Sequence, residues 1–301
     1  MKHTLKITIV ILAMFLLTQF IGLYVINHYS VQGNPLPYGM DNQVEESTGL
    51  SYLPSIVIAF IFAILIFIIL TKFNFSFVMR IWFFIVIMLA LGITITSFLP
   101  NEKYVSLFAL IIALPFALSR VVKRNILVHN VTELFIYPGI AAVFVPFLNI
   151  ITILVLLALI SVYDMWAVWH SGIMQKMAKY QINTVKVFGG FFVPYLSKKE
   201  KKKIKAMRNL PKSKLENMKD EKIKAQVAIL GGGDIVFPLI TAGVLLKVWG
   251  LIPAIITIAG ALLGLSYLLF IAKKKKFYPA MPFITAGIYL GILISWLVFV
   301  M

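Results

Sequence analysis

The sequence predicts an all-α, polytopic membrane protein of nine transmembrane helices, with the N-terminus cytoplasmic and the C-terminus external. Three observations carry this. Hydrophobic residues make up 61% of the 301 positions and charged residues 13%, and the mean hydropathy is +0.96, values foreign to a water-soluble domain. Apolar stretches of about 20 residues, the length a helix needs to cross a hydrocarbon core, recur from end to end. The Lys and Arg residues then fall almost entirely on one side of the resulting topology.

The first span, residues 7–26, is followed by further spans and has no small-residue cleavage site, so it reads as a retained helix and not as a removable signal peptide. An external loop follows, carrying Asp41, Glu45 and Glu46 without Lys or Arg. Spans at 51–71 and 81–99 enclose a cytoplasmic turn with Lys72 and Arg80. The fourth, 104–121, runs into Arg120, Lys123 and Arg124. Glu133 stands at the start of the fifth, 134–150, and reads as an edge carboxylate meeting headgroups or Lys. The sixth, 151–169, ends on Trp166 and Trp169, an interfacial aromatic belt. The last three spans are 227–249, 251–272 and 282–301. This arrangement puts 26 of the 28 Lys and Arg in the cytoplasm, leaving only Lys103 and Lys247 outside. The net charge of +17 is therefore a topology signal for an integral, multi-pass cell-membrane protein, not a nucleic-acid footprint.

The chain divides into a six-helix bundle (1–170), a cytoplasmic loop (171–226) and a three-helix bundle (227–301). Within the loop, Ile173, Met174, Met177 and Tyr180 lie at helical spacing opposite Gln175, Lys176 and Lys179, which predicts a short amphipathic interfacial helix over 171–181. The apolar segment 188–195 (FGGFFVPY) can dip into the membrane, cover a cavity mouth or serve as an interfacial anchor. Residues 197–224 hold twelve basic and four acidic residues with Pro211, a solvated flexible linker. No internal repeat is present.

With no cysteine, thiol, disulfide and iron–sulfur chemistry are excluded. The four histidines are scattered, no H-E-x-x-H occurs, and no histidine follows His170 to serve as base for Ser266, which reads as ordinary packing polarity. What remains is two carboxylates. Asp164 and Asp234 are the only acidic residues deep in any predicted span, where a charge costs on the order of 2.5 to 3.5 kcal/mol. Asp164 lies about seven residues, roughly 10 Å, before its span leaves the membrane, and Asp234 about nine residues, roughly 14 Å, after its span begins. Consecutive spans are neighbours, so the two side chains can meet in the cytoplasmic half. Two carboxyls in one low-dielectric site cannot both ionise, which yields one acid and one base at the same pH. That pairing can activate a water against an amide carbonyl and protonate the leaving nitrogen.

Gly231, Gly232 and Gly233 precede Asp234, each disfavouring a helix interior by about 0.8–1.0 kcal/mol relative to alanine. They permit close backbone approach, and Pro238 removes the N–H that would bond the Asp234 carbonyl. The helix is loosened where water and substrate must enter. Pro279 and Pro282 push Tyr278 and Met281 toward extended backbone, so the ninth span should begin irregularly beside the aspartates and can hold an unwound peptide as a strand. A helix N-terminus with proline in its first turn accounts for the same prolines equally well.

Tyr163-Asp164, Gly231-Gly232-Gly233-Asp234 and Pro279-Ala280-Met281 together resemble the YD, GxGD and PAL motifs of the presenilin and signal peptide peptidase family of intramembrane aspartyl proteases. Methionine replaces the leucine of PAL, a change of similar volume. The resemblance covers essentially the whole chain and is similar to the microbial, archaeal members. It implies an aspartic endopeptidase that hydrolyses peptide bonds within transmembrane segments of membrane proteins or within signal peptides. Asp164 and Asp234 would be catalytic, Tyr163, the three glycines and Pro238 would support the site, and Pro279, Ala280 and Met281 would bind substrate. It implies no cofactor, no metal and no obligatory second subunit; the partners are membrane-spanning peptides and the lipid bilayer. Two other readings stay open: an ion- or proton-coupled transporter with paired intramembrane aspartates, which would predict an inverted repeat, and a prepilin- or preflagellin-type GxGD peptidase, a shorter six-span protein without YD or PAL.

Because loop-closure entropy changes slowly with length, replacing residues 197–224 by a short Gly/Ser linker should leave the activity of the folded protein within about twofold. The measurement is turnover of a tagged single-span substrate per folded molecule.

Overall fold

In the computed structural model the described residues are 5–40, 53–73, 75–122, 125–171, 180–185, 187–195, 226–272, 278–299 and 301. They form nine α-helices: α1 (Leu5–Ile26), α2 (Leu53–Lys72), α3 (Ser76–Phe98), α4 (Val105–Val122), α5 (Ile126–Phe144), α6 (Ile150–Trp166), α7 (Gly233–Trp249), α8 (Leu251–Ile271) and α9 (Met281–Phe299). Each overlaps one of the expected spans. Seven segments are long and apolar enough to cross a membrane by length and composition; α7, with 17 residues, is not among them. The helices are hydrophobic all round, with Phe62, Phe77, Leu263 and Leu290 exposed on outer faces, as lipid-facing surfaces require. The chain is thus a mostly helical polytopic membrane protein.

α7 is the central element. Ile235 and every residue from Pro238 to Leu246 are buried, packed against α1, α5, α6 and α8. One core runs through both sequence halves, joining Phe15 of α1, Tyr137 of α5 and Leu157 of α6 to Leu239, Ile258 and Ile288. α8 and α9 touch backbone to backbone. A Cβ on Gly260 would collide with the Gly287 carbonyl, one on Gly287 with the Gly260 carbonyl, and one on Gly264 with the Phe283 carbonyl. In lipid, where no hydrophobic force separates helix from solvent, such close van der Waals approach is what holds helices together.

Three elements differ from the expectation. The fifth helix starts at Ile126, because Asn125 caps it by accepting from the Leu127 N–H at 2.9 Å; it ends early, in a 3₁₀ turn (Val145–Phe147) that contains Pro146. Its first turns carry His129, Asn130 and Glu133, polar residues whose partners, Arg120 and the backbone of Gly190 and Phe192, lie inside the protein. Glu133 is therefore no edge carboxylate: it is buried at 1% exposure and ion-paired with Arg120.

The second difference is the start of the seventh span. Residues 226–231 form a strand, β2 (Gln226–Gly231), antiparallel to β1 (Gly190–Tyr195), with register running from Gly190↔Gly231 to Tyr195↔Gln226. The β-branched, apolar Val227 and Ile229 suit a strand, and the glycine triplet ends it, so the helix begins only at Gly233. Asp234 lies in the first turn of α7 and not nine residues inside a helix. Residues 190–195 of the segment 188–195 form the other strand of this pair, so the described residues hold one two-stranded sheet beside the helices.

Third, Met281 is not extended backbone but the first residue of α9, with Pro282 in its first turn; only 278–280 are non-helical. The expected amphipathic helix at 171–181 and the linker 197–224 lie, for the most part or wholly, outside the described residues.

Gly287→Leu should lower the stability of the protein by roughly 1–3 kcal/mol or more, because the α8–α9 backbones cannot separate without losing their contact. Leu263→Ala, at 70% exposure on α8, should change it little. Thermal unfolding in one detergent compares the two.

Candidate active site

Asp164 sits two residues before the end of α6, at 4% exposure. Its Oδ2 accepts the backbone N–H of Met281 at 3.0 Å, and the Ala280 N–H also points to this carboxylate. The first N–H groups of a helix have no intrahelical partner and carry partial positive charge, so α9 offers Asp164 a ready anion site. Two further bonds fix α6 along α9 in the same register. Ser161 Oγ donates to Thr285 Oγ1 at 2.8 Å, and the Tyr289 hydroxyl donates to the Leu154 carbonyl at 2.6 Å. Asp164 is thereby placed by three rungs and not by its own bond alone.

Asp234 is held differently. It is partly buried, and its carboxylate turns back to accept the N–H of Gly231. A Cβ on Gly231 would stand 3.2 Å from Asp234 Oδ2. Gly232 packs under Tyr137 of α5, where a Cβ would meet the tyrosine hydroxyl at 2.8 Å. The Gly232 N–H donates to the Gly189 carbonyl at 3.1 Å, tying the start of α7 to the turn that leads into β1. The glycines thus have separate uses: Gly231 makes room for the carboxylate, and Gly232 lets α5 approach. Close by, Gln19 of α1, fully buried, donates from Nε2 to the Ile235 carbonyl at 3.0 Å. This supports α7 just before Pro238 interrupts its hydrogen-bond ladder.

Of the residues singled out from sequence, the structure gathers Asp164, Asp234, Gly231, Ala280 and Met281 around one point between α6, α7 and the start of α9. The two carboxylates lie within electrostatic range of each other. Tyr163 remains half-buried at the margin, its ring 6.3 Å from that of Trp166. Trp166 and Trp169 are exposed, at 50% and 59%. Sequence reasoning missed Gln19 and Tyr137. Gln19 left a signal, a lone amide in an otherwise apolar span; Tyr137 left none, since a tyrosine in a membrane helix is ordinarily packing.

Residues 12–301 match the family described as signal-peptide peptidase, presenilin aspartyl protease. The chain belongs to this family. It is an intramembrane aspartic endopeptidase, as its family is, and acts on membrane-embedded substrates. The fold agrees with two structures of a presenilin family intramembrane aspartate protease. One, in space group C222, superposes with a TM-score of 0.58 at 17% identity, covering 94% of each chain. The other, in space group P2, has a TM-score of 0.59 at 17% identity, covering 97% of this chain and 96% of that one. No curated protein matches. Family membership decides against the transporter reading and against the shorter prepilin-type peptidase.

If Gly232 is needed for the approach of Tyr137, Gly232→Ala should reduce cleavage roughly tenfold, the equivalent of about 1.4 kcal/mol of overpacking strain. Adding Tyr137→Phe, which removes the nearest colliding atom, should restore part of it. Equal activity of the single and double variants would show that the contact does not matter.

Proposed function

We propose that Asp164 and Asp234 are the catalytic pair of this protease. The observation that carries the proposal is that Asp164, near the end of α6, and Asp234, in the first turn of α7, lie within electrostatic range of each other, each carboxylate beside a backbone N–H from a different element, in a chain of an aspartyl protease family. The pair shares one proton. The ionised carboxylate takes a proton from a water held between the two, and the water oxygen attacks the carbonyl carbon of the scissile amide. The protonated carboxyl gives its proton to the carbonyl oxygen, forming a tetrahedral diol. The proton gained from water then passes to the amide nitrogen, the C–N bond breaks as one diol hydroxyl returns its proton to the other carboxylate, and an acid and an amine leave with the pair again sharing one proton. Which carboxyl begins as base belongs to the pair and not to either residue.

The N–H groups of Met281 and Gly231 hold the carboxylates before substrate arrives, so little reorganisation is needed at the moment of reaction. The non-helical 278–280 beside Asp164, with Pro279 and Ala280, supports a substrate-binding role for this segment together with Met281. Tyr163 would line the approach. Pro238 and the glycines would keep the start of α7 open for water and peptide. The substrates are membrane-spanning segments or signal peptides that must unwind locally, since a helical peptide bond is shielded. The basic-residue bias supports nine spans with a cytoplasmic N-terminus, an external C-terminus and the aspartates in the cytoplasmic half of the cell membrane. The same reading keeps the organisation as 1–170, a cytoplasmic 171–226 and 227–301, working as a single chain without a second subunit.

Asp164→Asn and Asp234→Asn should each abolish proteolysis of a reconstituted single-span substrate while leaving thermal unfolding near that of the wild type, because an amide is nearly isosteric but cannot exchange the proton. The kcat/KM of the wild type should be bell-shaped in pH, bounded by the two ionisations of the pair. Full activity in either variant, or a flat profile through the acidic and neutral range, would falsify the dyad.

A further inference from the structure

A buried polar cluster lies away from the aspartates, where α4 and α5 meet the turn into β1. Arg120 and Glu133 form an ion pair with side chains at 3% and 1% exposure. Neither spends its bonding capacity on the other alone. Arg120 donates to the Phe188 carbonyl at 2.9 Å and to Thr132 Oγ1 at 3.0 Å, and Glu133 Oε1 accepts the Gly190 N–H at 3.1 Å. His129 Nε2 lies 2.7 Å from the Gly190 carbonyl, which can only accept, so this nitrogen carries the hydrogen. One turn of α5 away from Glu133, Asn130 binds Phe192 twice, donating to its carbonyl at 2.7 Å and accepting its N–H at 3.0 Å.

Taken together, α5 treats β1 as a neighbouring strand would. Side chains of His129, Asn130 and Glu133 occupy the N–H and C=O of both Gly190 and Phe192, the alternate residues of one strand edge, while the other edge pairs with β2. Gly190, at φ +149°, has no room for a side chain between the Leu230 carbonyl and the Phe188 ring. The chain runs from this clamped edge to Asp234 without slack: Gly190 is opposite Gly231, Gly189 accepts from Gly232, and Gly231 donates to Asp234.

We infer that Arg120, Glu133, His129 and Asn130 are positioning residues for proteolysis: by binding the backbone of Phe188, Gly190 and Phe192 they set the place of β1 and β2 and, through Gly231 and Gly232, the aim of the Asp234 carboxylate at Asp164. The inference rests on the dyad reading and adds to it a group of side chains that touch neither substrate nor the reacting water. A buried ion pair is a poor stabiliser compared with apolar side chains of the same volume, so stability alone gives weak reason for these two charges. Their bonds to the backbone of 188–190 give the reason.

Two variants separate positioning from folding. Arg120→Met/Glu133→Leu removes both charges together and leaves no lone charge buried. Asn130→Ala removes both bonds to Phe192 from a partly exposed site. Each is compared with wild type and with Leu127→Ala, on the exposed side of the same helix, in one detergent and on equal amounts of folded protein. The expected result is a fall of tenfold or more in kcat with KM within about twofold, at a Tm close to wild type for Asn130→Ala. Asn130→Asp, which keeps the oxygen facing the Phe192 N–H, should recover part of kcat. Wild-type kcat per folded molecule in Asn130→Ala, whatever its Tm, overturns the inference, as does a loss confined to KM. Asp234→Asn is run beside them: if it cleaves normally the dyad reading fails, whereas an inactive Asp234→Asn with fully active clamp variants removes the clamp alone.

Discussion

In hydrocarbon a backbone N–H or C=O without a partner costs several kcal/mol, and an unbroken helix is the simplest way to satisfy them all. This protein breaks that rule where its aspartates meet, and the architecture around them can be understood as the set of substitutes this demands. At the start of α7 the missing helical bonds are replaced by the β1–β2 ladder and by Gly189 accepting from Gly232. The outer edge of β1 is closed by side chains of α5. At the start of α9 the free N–H of Met281 is taken by Asp164. A carboxylate needs donors and a broken helix has donors to offer, so each difficulty answers the other.

The two aspartates are supported unequally. Asp164 belongs to a rigid strip, since α6 is laced to α9 by Ser161–Thr285 and Leu154–Tyr289, and α9 is locked to α8 by facing glycines. Asp234 stands on shorter supports, a first helical turn following a two-stranded sheet. Local contacts that are mostly backbone hydrogen bonds open more readily than packed helix interfaces. The α7 side of the site is therefore the one with fewer packed contacts to lose on opening.

Much of this was legible in the sequence. The nine helices among the described residues fall on apolar runs, seven of them long enough to span, and the aspartates stand out inside the apolar runs 151–169 and 227–249, whereas Glu133, just as buried, looks like an edge residue. Three motifs in order identified the family. What escaped has physical reasons. Residues 227–230 are apolar and β-branched in part, and so short a run reads equally as buried helix or strand; only pairing with β1, over thirty residues earlier, decides it. The true start of α5 was hidden because His129, Asn130 and Glu133 look like residues outside a membrane, whereas their polarity is absorbed by Arg120 and by the backbone of 188–192. Side chains that bind backbone leave no spacing rule behind, since their partner can be any residue type. Met281 was placed as extended by a rule about prolines that a capping carboxylate outweighs.

The Arg120–Glu133 pair also bears on how the chain reaches its membrane. The two residues are 13 positions apart, near the end of one helix and the beginning of the next. A charge partnered by a distant segment must wait, alone, until the bundle has assembled around it. Here the partner is delivered with the very next helix, so the two segments can leave the translocation machinery as one neutralised hairpin. The hazard of carrying a guanidinium and a carboxylate into lipid is confined to a brief stage of biogenesis, and the order of synthesis itself supplies the remedy.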